Sequence, residues 1–180
     1  MVEQLVERIR QKGQRTMSLL YQMYVKELSS VCYRYVPSRI DAKDVLQNSF
    51  VKIFTSIPTL DYHSEEALWG WMKKVVVNES LSYLRDRKRL LYMVQTTENV
   101  EQMDDSEPQP EQISSEELHQ LISELPDGYR TVVNLYVFEG YSHKQIAELL
   151  GITESTSGSQ FYYAKRILAK RIKDFTNDKR

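Results

Sequence analysis

Ser142-His143-Lys144-Gln145-Ile146-Ala147-Glu148-Leu149-Leu150-Gly151-Ile152-Thr153-Glu154-Ser155-Thr156 reads as two helices joined at a glycine corner. Ser142 is placed to cap the first helix, and Gln145, three residues on, to complete a capping box. Ile146, Leu149 and Leu150 give that helix an apolar side, and Ala147 is small enough for a second helix to cross close by. Gly151 supplies the left-handed residue that ends the first helix. Ile152 plugs the corner, and Thr153 caps a second helix expected over about residues 154–172. Two helices joined by a glycine turn of about three to four residues form the unit that lays its second helix in the DNA major groove. An αα-corner inside an ordinary helical bundle has the same local pattern, so the rest of the chain has to decide between them.

The 180 residues suffice for one large or two small domains, and 41% hydrophobic with 27% charged residues is an ordinary globular composition. Only 6 Gly and 5 Pro argue against a turn-dense β fold. No apolar run reaches the length of a membrane span and no signal peptide opens the chain, so a cytoplasmic location is expected. The single cysteine, Cys32, excludes an internal disulfide and a cysteine zinc cluster. It sits among Val31, Tyr33 and Tyr35 and is expected to be a buried, structural thiol.

A net charge of −1 argues against a DNA-binding role until it is divided along the chain. Residues 1–92 carry about 15 basic against about 10 acidic residues. Residues 93–117 contain no Lys or Arg and about 8 acids, and residues 118–180 return to about 9 basic against about 7 acidic. Two basic blocks flank an acidic one.

Periodicity makes the first block helical. Leu20, Tyr24, Leu28, Val31 and Tyr35 recur at helical steps up to Pro37. Asp41 is expected to open a second helix, with Val45, Leu46, Phe50, Ile53, Phe54 and Ile57 inward and Pro58 as the stop. A third helix is expected over residues 65–89, carrying Leu68, Trp71, Met72, Val75, Leu81 and Leu84. Residues 93–115 have no periodicity and contain Pro108 and Pro110 among Glu, Asp, Gln and Ser, the composition of a flexible or extended linker. A helix over residues 116–125, a break at Pro126-Asp127-Gly128, a helix over residues 129–138 closed by Gly140, and the helix-turn-helix complete the chain. The expected fold is all-α: a domain at 1–92, an acidic linker at 93–115 and a helix-turn-helix domain at 116–180.

In this order and spacing, three motifs resemble the bacterial RNA polymerase sigma factors of the extracytoplasmic-function type. Asp41-Ala42-Lys43-Asp44-Val45-Leu46-Gln47-Asn48-Ser49-Phe50 resembles the family's polymerase-binding helix, which implies contacts from Asp41, Asp44, Gln47 and Asn48. Trp71-Met72 through Asn78 to Arg85-Asp86-Arg87-Lys88-Arg89 resembles the helix that melts and reads the minus-ten promoter element. Tyr62 and His63, in the loop before it, fall where the family captures an extruded base. Glu124-Leu125-Pro126-Asp127-Gly128-Tyr129-Arg130, with Glu139-Gly140-Tyr141 and the helix-turn-helix, resembles the domain that reads the minus-thirty-five element. The resemblance spans nearly the whole chain and implies core RNA polymerase and promoter DNA as partners. It also implies an anti-sigma factor, in many members membrane-bound.

The residues support this independently. Asn78, Ser82, Arg85 and Arg89 lie at steps of four, three and four, so they share one polar stripe able to bond base edges and phosphates. A solvated helix face with a basic end that satisfies the macrodipole would account for Arg87, Lys88 and Arg89 alone. Trp71 is in phase with Leu68 and Val75, which favours core packing over base stacking, whereas Trp69 is off that phase and nearer the surface. In the second helix of the helix-turn-helix the chain departs from the family's common pattern. Ser157, Gly158 and Gln160 stand where many members carry a hydrophobic residue, a Lys or Arg, and an Arg. Glu154, Ser155, Thr156 and Gln160 are the expected base-contacting residues. Ser159 is the expected phosphate contact, Gly158 a point of close backbone approach, and Lys165 and Arg166 sources of positive charge.

Promoter elements about 16 base pairs apart are separated by about 55 Å. About 22 linker residues span at most about 70 Å when extended, but average about 26 Å as a coil. One chain therefore bridges both elements only when pulled out, as a polymerase surface binding both domains would do. The expected function is a promoter-specificity subunit with no catalysis, no cofactor, no metal and no small-molecule substrate. The alternative is a helix-turn-helix regulator that acts without polymerase. His63, His119 and His143 lack metal-ligand spacing, and neither a phosphate-binding glycine loop nor a nucleophile motif is present.

Overall fold

The steps of three and four in the first segment become the buried stripe of helix α1 (Gln14–Tyr35), along which Leu20, Tyr24, Leu28, Val31 and Tyr35 are all buried. The structure is a computed structural model and describes residues 14–87 and 113–178. The regular structure of those residues is entirely helical, and the chain divides into two compact units that meet in sequence between Tyr83 and Leu84. The acidic linker expected at 93–115 falls outside the described residues apart from its last three positions. Of these, Ser114 already caps a helix that begins at Ser115.

Helix α2 (Arg39–Ser56) begins two residues earlier than expected. Ser38, directly after Pro37, is its N-cap and accepts from the Asp41 N–H at 3.4 Å, which leaves Asp41 in the first turn, where its charge suits the helix dipole. Ala42, Val45, Ser49, Phe50 and Ile53 form its buried side, whereas Leu46 and Phe54 are only half-buried. A short 3-10 turn, Ile57–Thr59, carries Pro58 and ends the segment.

Helix α3 (Glu65–Asp86) is capped by Ser64, whose Oγ accepts from the Ala67 N–H at 3.1 Å. Its inner side is Leu68, Met72, Val76, Val77, Ser80, Leu81 and Leu84. Trp71 and Val75, expected in the core, are half-buried because the inner side centres one position further on, at Val76. The three helices interlock at small groups. The Cys32 thiol donates to the Ala42 carbonyl at 3.5 Å, and the Ser80 hydroxyl donates to Cys32 Sγ at 3.9 Å. Lys52 and Glu79 form an ion pair that ties α2 to α3.

In the second unit, helix α4 (Ser115–Ser123) opens with a full capping box between Ser114 and Glu117. Helix α5 (Asp127–Val133) follows with Pro126 at its N-cap. The single helix expected through residue 138 instead relaxes into a π turn at Asn134–Phe138, after which the Glu139 N–H bonds back to the Asn134 carbonyl at 3.1 Å. Gly140 then takes φ +72°, and the Tyr141 N–H closes onto the Leu135 carbonyl at 3.0 Å.

Helix α6 (His143–Leu150) carries the Ser142–Gln145 capping box and ends at Gly151 with φ +70°. Thr153 caps helix α7 (Glu154–Asp178) by accepting from the Thr156 N–H at 3.0 Å. Helix α7 packs against α4, α5 and α6. Ile122, Leu125, Tyr129, Val133 and Ala164 are the centre of that core.

Candidate nucleic-acid interface

Helix α7 has two distinct sides. Ser157, Gln160, Ala164 and Ile172 are buried, at spacings that put them on the inner side. Ser155, Ser159, Tyr162 and Arg166, at steps of four, three and four, run along the opposite side, where all but the half-buried Arg166 are exposed. Glu154 and Lys165 flank this stripe and are exposed, and Gly158 is half-buried with nothing within 4 Å of where a Cβ would stand. Gln160 is the one expected base-contacting residue that the structure takes out of the set. It is 5% exposed, on the same side as Ser157 and Ala164, so its amide is turned into the unit. Thr156 is half-buried, and its hydroxyl lies 2.8 Å from that of Thr153, which ties it to the helix cap.

Tyr162 was not among the expected contacts, yet it is 48% exposed in the middle of the outward stripe. Its hydroxyl accepts from Arg166 Nη1 at 3.2 Å, and the Arg166 guanidinium lies 5.7 Å from its ring centre. The signal in the sequence is its phase: an aromatic two positions after Gln160 and two before Ala164 faces away from the core. Lys165 Nζ lies 5.2 Å from the centre of the Phe161 ring. Both cations are thus held beside aromatic rings on the outer half of the helix, a favourable arrangement for cations.

In the first unit, Asn78 and Arg85 are exposed and Ser82 is half-buried on one side of α3. Arg89, the fourth member of that stripe, lies outside the described residues. His63 is exposed, with Nε2 3.3 Å from Asp61 Oδ2, and Tyr62 is half-buried. Near them is an aromatic group in which Trp69 stacks on Tyr24 at 6.2 Å and 21°. The Tyr24 hydroxyl donates to Glu65 Oε1 at 3.4 Å. Burial first, then the Glu65 carboxylate, then Tyr62, push the Tyr24 phenol up to about 12. Glu66 is held below the ordinary carboxylate range by a hydrogen bond from its own backbone N–H and one from Ser64, part of the same helix start.

Helix α2 offers a second surface. Asp44, Gln47 and Asn48 are exposed, and Asp41 is half-buried in the first turn. Ile40, 80% exposed, and Val51, 57% exposed, extend the same side, each at a spacing of four, from Asp44 and Gln47 respectively. The result is a polar centre with an apolar residue at each end, opposite the buried Ala42, Val45, Ser49 and Ile53. Among the described residues no group of His, Cys, Asp and Glu is arranged to hold a metal, and no helix is long and apolar enough to cross a membrane.

Residues 20–90 match the family model described as Sigma-70 region 2, and residues 115–168 match that described as Sigma-70, region 4. The chain is 30% identical over 179 residues to the ECF RNA polymerase sigma-E factor of Haemophilus influenzae, covering 93% of each chain. It is 27% identical over 160 residues to the RNA polymerase sigma factor SigV of Bacillus subtilis, covering 87% of this chain and 93% of the other. The fold is similar to that of the sigma factor RpoE from Bartonella quintana, solved in complex with the anti-sigma factor NepR. That likeness has a TM-score of 0.51 at 18% identity and covers 87% of this chain and 96% of the other.

Proposed function

The chain belongs to the extracytoplasmic-function sigma factors, alternative sigma factors that bind core RNA polymerase and direct transcription initiation, and from that premise we propose which of its surfaces does each task. Sigma factors are non-catalytic initiation factors, and we assign this chain no catalysis of its own and a cytoplasmic place of work. Core polymerase docks on the outer side of α2. Asp44, Gln47 and Asn48 make the polar contacts there, Asp41 supports the edge, and Ile40 and Val51 supply the apolar area on which a protein interface depends.

Promoter DNA engages both units. The outer side of α7 enters the major groove of the minus-thirty-five element, with Glu154, Ser155 and Thr156 at the base edges. Ser159, Tyr162, Lys165 and Arg166 hold the flanking phosphates, and Gly158 lets the backbone come close. Asn78, Ser82, Arg85 and Arg89 line the path of the minus-ten strand, and Tyr62 and His63 receive an unstacked base. The observation that carries this reading is the two-sided division of α7: its small and polar positions split into a buried set and an outward set that ends in cations.

The complex of RpoE with NepR supports an anti-sigma factor, soluble or membrane-bound, as the partner that holds this chain inactive. Run-off transcription with purified core polymerase tests the whole assignment. Promoter-dependent transcripts are expected only when this chain is added, and their absence across genomic promoter fragments overturns it.

A further inference from the structure

We propose that His143 is a positioning residue for promoter recognition: by holding Ser157 it fixes the rotation at which α7 presents its outward side to the duplex. This inference rests on the reading of α7 as the DNA-reading helix.

His143 is the first residue of α6, and its Nδ1 lies 3.0 Å from the Ser157 Oγ. Ser157 is 0% exposed, on the inner side of α7 between Thr156 and Gly158. The imidazole is itself clamped. It stacks on Tyr136 at 4.6 Å and 15°, and the Phe161 ring lies 5.8 Å away. Tyr136 also meets Phe161 at 4.6 Å, so the π turn, α6 and α7 converge on this one side chain.

A buried serine hydroxyl is costly unless it is hydrogen-bonded. An apolar side chain in its place would fill the space, but apolar contacts are non-directional. The hydrogen bond is directional, so it resists rotation of α7 about its own axis. The groups on the outer side lie about 5–6 Å from that axis. A rotation of about 20° would therefore shift them by roughly 2 Å, enough to break a hydrogen bond to a base edge. The bond acts one residue from Thr156 and two from Ser155, where such a shift does most harm.

The experiment compares binding of a minus-thirty-five duplex with that of a scrambled duplex, using the full chain assembled with core polymerase. His143→Phe keeps the ring stack and removes the hydrogen bond. His143→Asn removes the stack but keeps a hydrogen-bonding atom at the same branch of the side chain. Discrimination between the duplexes is expected to fall about fivefold in His143→Phe and in Ser157→Ala, with no further loss in the double variant. His143→Asn is expected to retain it, even though its thermal stability falls.

Loss of discrimination in His143→Asn with wild-type discrimination in His143→Phe would overturn the proposal, since ring packing rather than the hydrogen bond would then set the helix. So would wild-type discrimination in His143→Phe and Ser157→Ala while Glu154→Ala and Ser155→Ala lose it; in that case the reading of α7 stands and only the inference falls. If all four discriminate as wild type, the reading of α7 fails and takes the inference with it. Should His143→Phe not fold, His143→Asn against Ser157→Ala makes the same decision.

Discussion

Arg130 donates from Nη1 to the Leu125 carbonyl at 2.6 Å and so bridges the turn that joins α4 to α5. The same nitrogen reaches the Ser123 carbonyl at 3.4 Å, and Nη2 pairs with the Asp127 carboxylate. The guanidinium is 3% exposed, and its fork satisfies carbonyls at the end of α4 that have no partner within their own helix. In the Glu124-to-Arg130 motif, then, Arg130 shapes the turn and is turned into the unit. Replacing it with Ala is expected to destabilise the second unit by about 2–4 kcal/mol, through the buried carbonyls left unpaired and the cavity left behind. Lys restores only part of this because it lacks the planar fork. Denaturant unfolding followed by circular dichroism checks the order wild type, Lys, Ala; equal midpoints would show that the fork contributes nothing.

The polymerase-docking surface is expected to fail without loss of fold. Asp44→Ala combined with Gln47→Ala removes two exposed polar groups from α2 and leaves Ala42, Val45, Phe50 and Ile53 in place. Co-purification with core polymerase should weaken at least tenfold, a change of about 1.4 kcal/mol, while helical content stays unchanged. Ile40→Asp, which places a charge at the apolar end of the same side, should deepen the defect. Undiminished recovery of core in the combined variant would remove α2 as the docking surface.

Strand opening is the task assigned to α3. Asn78→Ala with Arg85→Ala removes two exposed groups that only melted DNA can use, so permanganate reactivity across the minus-ten region should drop in the assembled complex. Protection of the minus-thirty-five duplex should persist, because α7 belongs to the other unit. Normal opening in the double variant would refute the role.

The helix-turn-helix was legible because its signals are local. Ser142, Gln145, Gly151 and Thr153 act on backbone groups within a few residues, and each takes the conformation expected of it. Ser157 and Gln160 were not legible as inner residues, since small and polar side chains ordinarily face water. The buried Ser157 hydroxyl finds its partner in a histidine 14 positions earlier, visible only once the two helices cross. The π turn depended in the same way on Gly140 and Tyr141, which lie beyond the helix they interrupt. At α2 both Ser38 and Asp41 are good caps by residue type; Ser38 takes the cap, and Asp41 falls in the first turn. The outward sides were harder still. Ile40, Val51 and Tyr162 look like core residues by type, and only their phase against the buried set marks them as surface.

Cys32 lies in the centre of the first unit, where burial, partly offset by the Ser80 hydroxyl, pushes its thiol up to about 11. The native thiol is therefore expected to resist alkylation at pH 8 and to react only as the unit unfolds. The folded value lies above the unfolded one of 9.0, so the stabilising contribution is full below pH 9 and is lost as pH rises towards 11. Tyr24, raised from 10.0 to about 12, extends the same trend to higher pH. Thermal melts of the protein between pH 8 and pH 11 should show the first unit losing stability on the alkaline side. Stability that holds constant across that range would contradict the burial of the thiol.

Gly158 separates stability from recognition. No atom lies within 4 Å of where its Cβ would be, so Gly158→Ala adds a methyl group to open space in the second turn of α7. Its φ is not in the left-handed region, so alanine is unstrained there and should stabilise the second unit by up to about 1 kcal/mol. If the site merely carries a poor helix residue, promoter affinity stays the same. Close approach of the DNA backbone instead predicts a lower affinity despite the firmer helix, because the methyl group occupies the space the phosphates need. The latter is the expected outcome, since Gly158 borders the outward stripe between Ser155 and Ser159. Gly158→Arg should act in the opposite way, raising affinity for many sequences alike and steepening the salt dependence by about one unit through an added phosphate contact. Duplex binding measured at two salt concentrations decides the matter: a more stable alanine variant with unchanged affinity at both would leave Gly158 with no part in recognition.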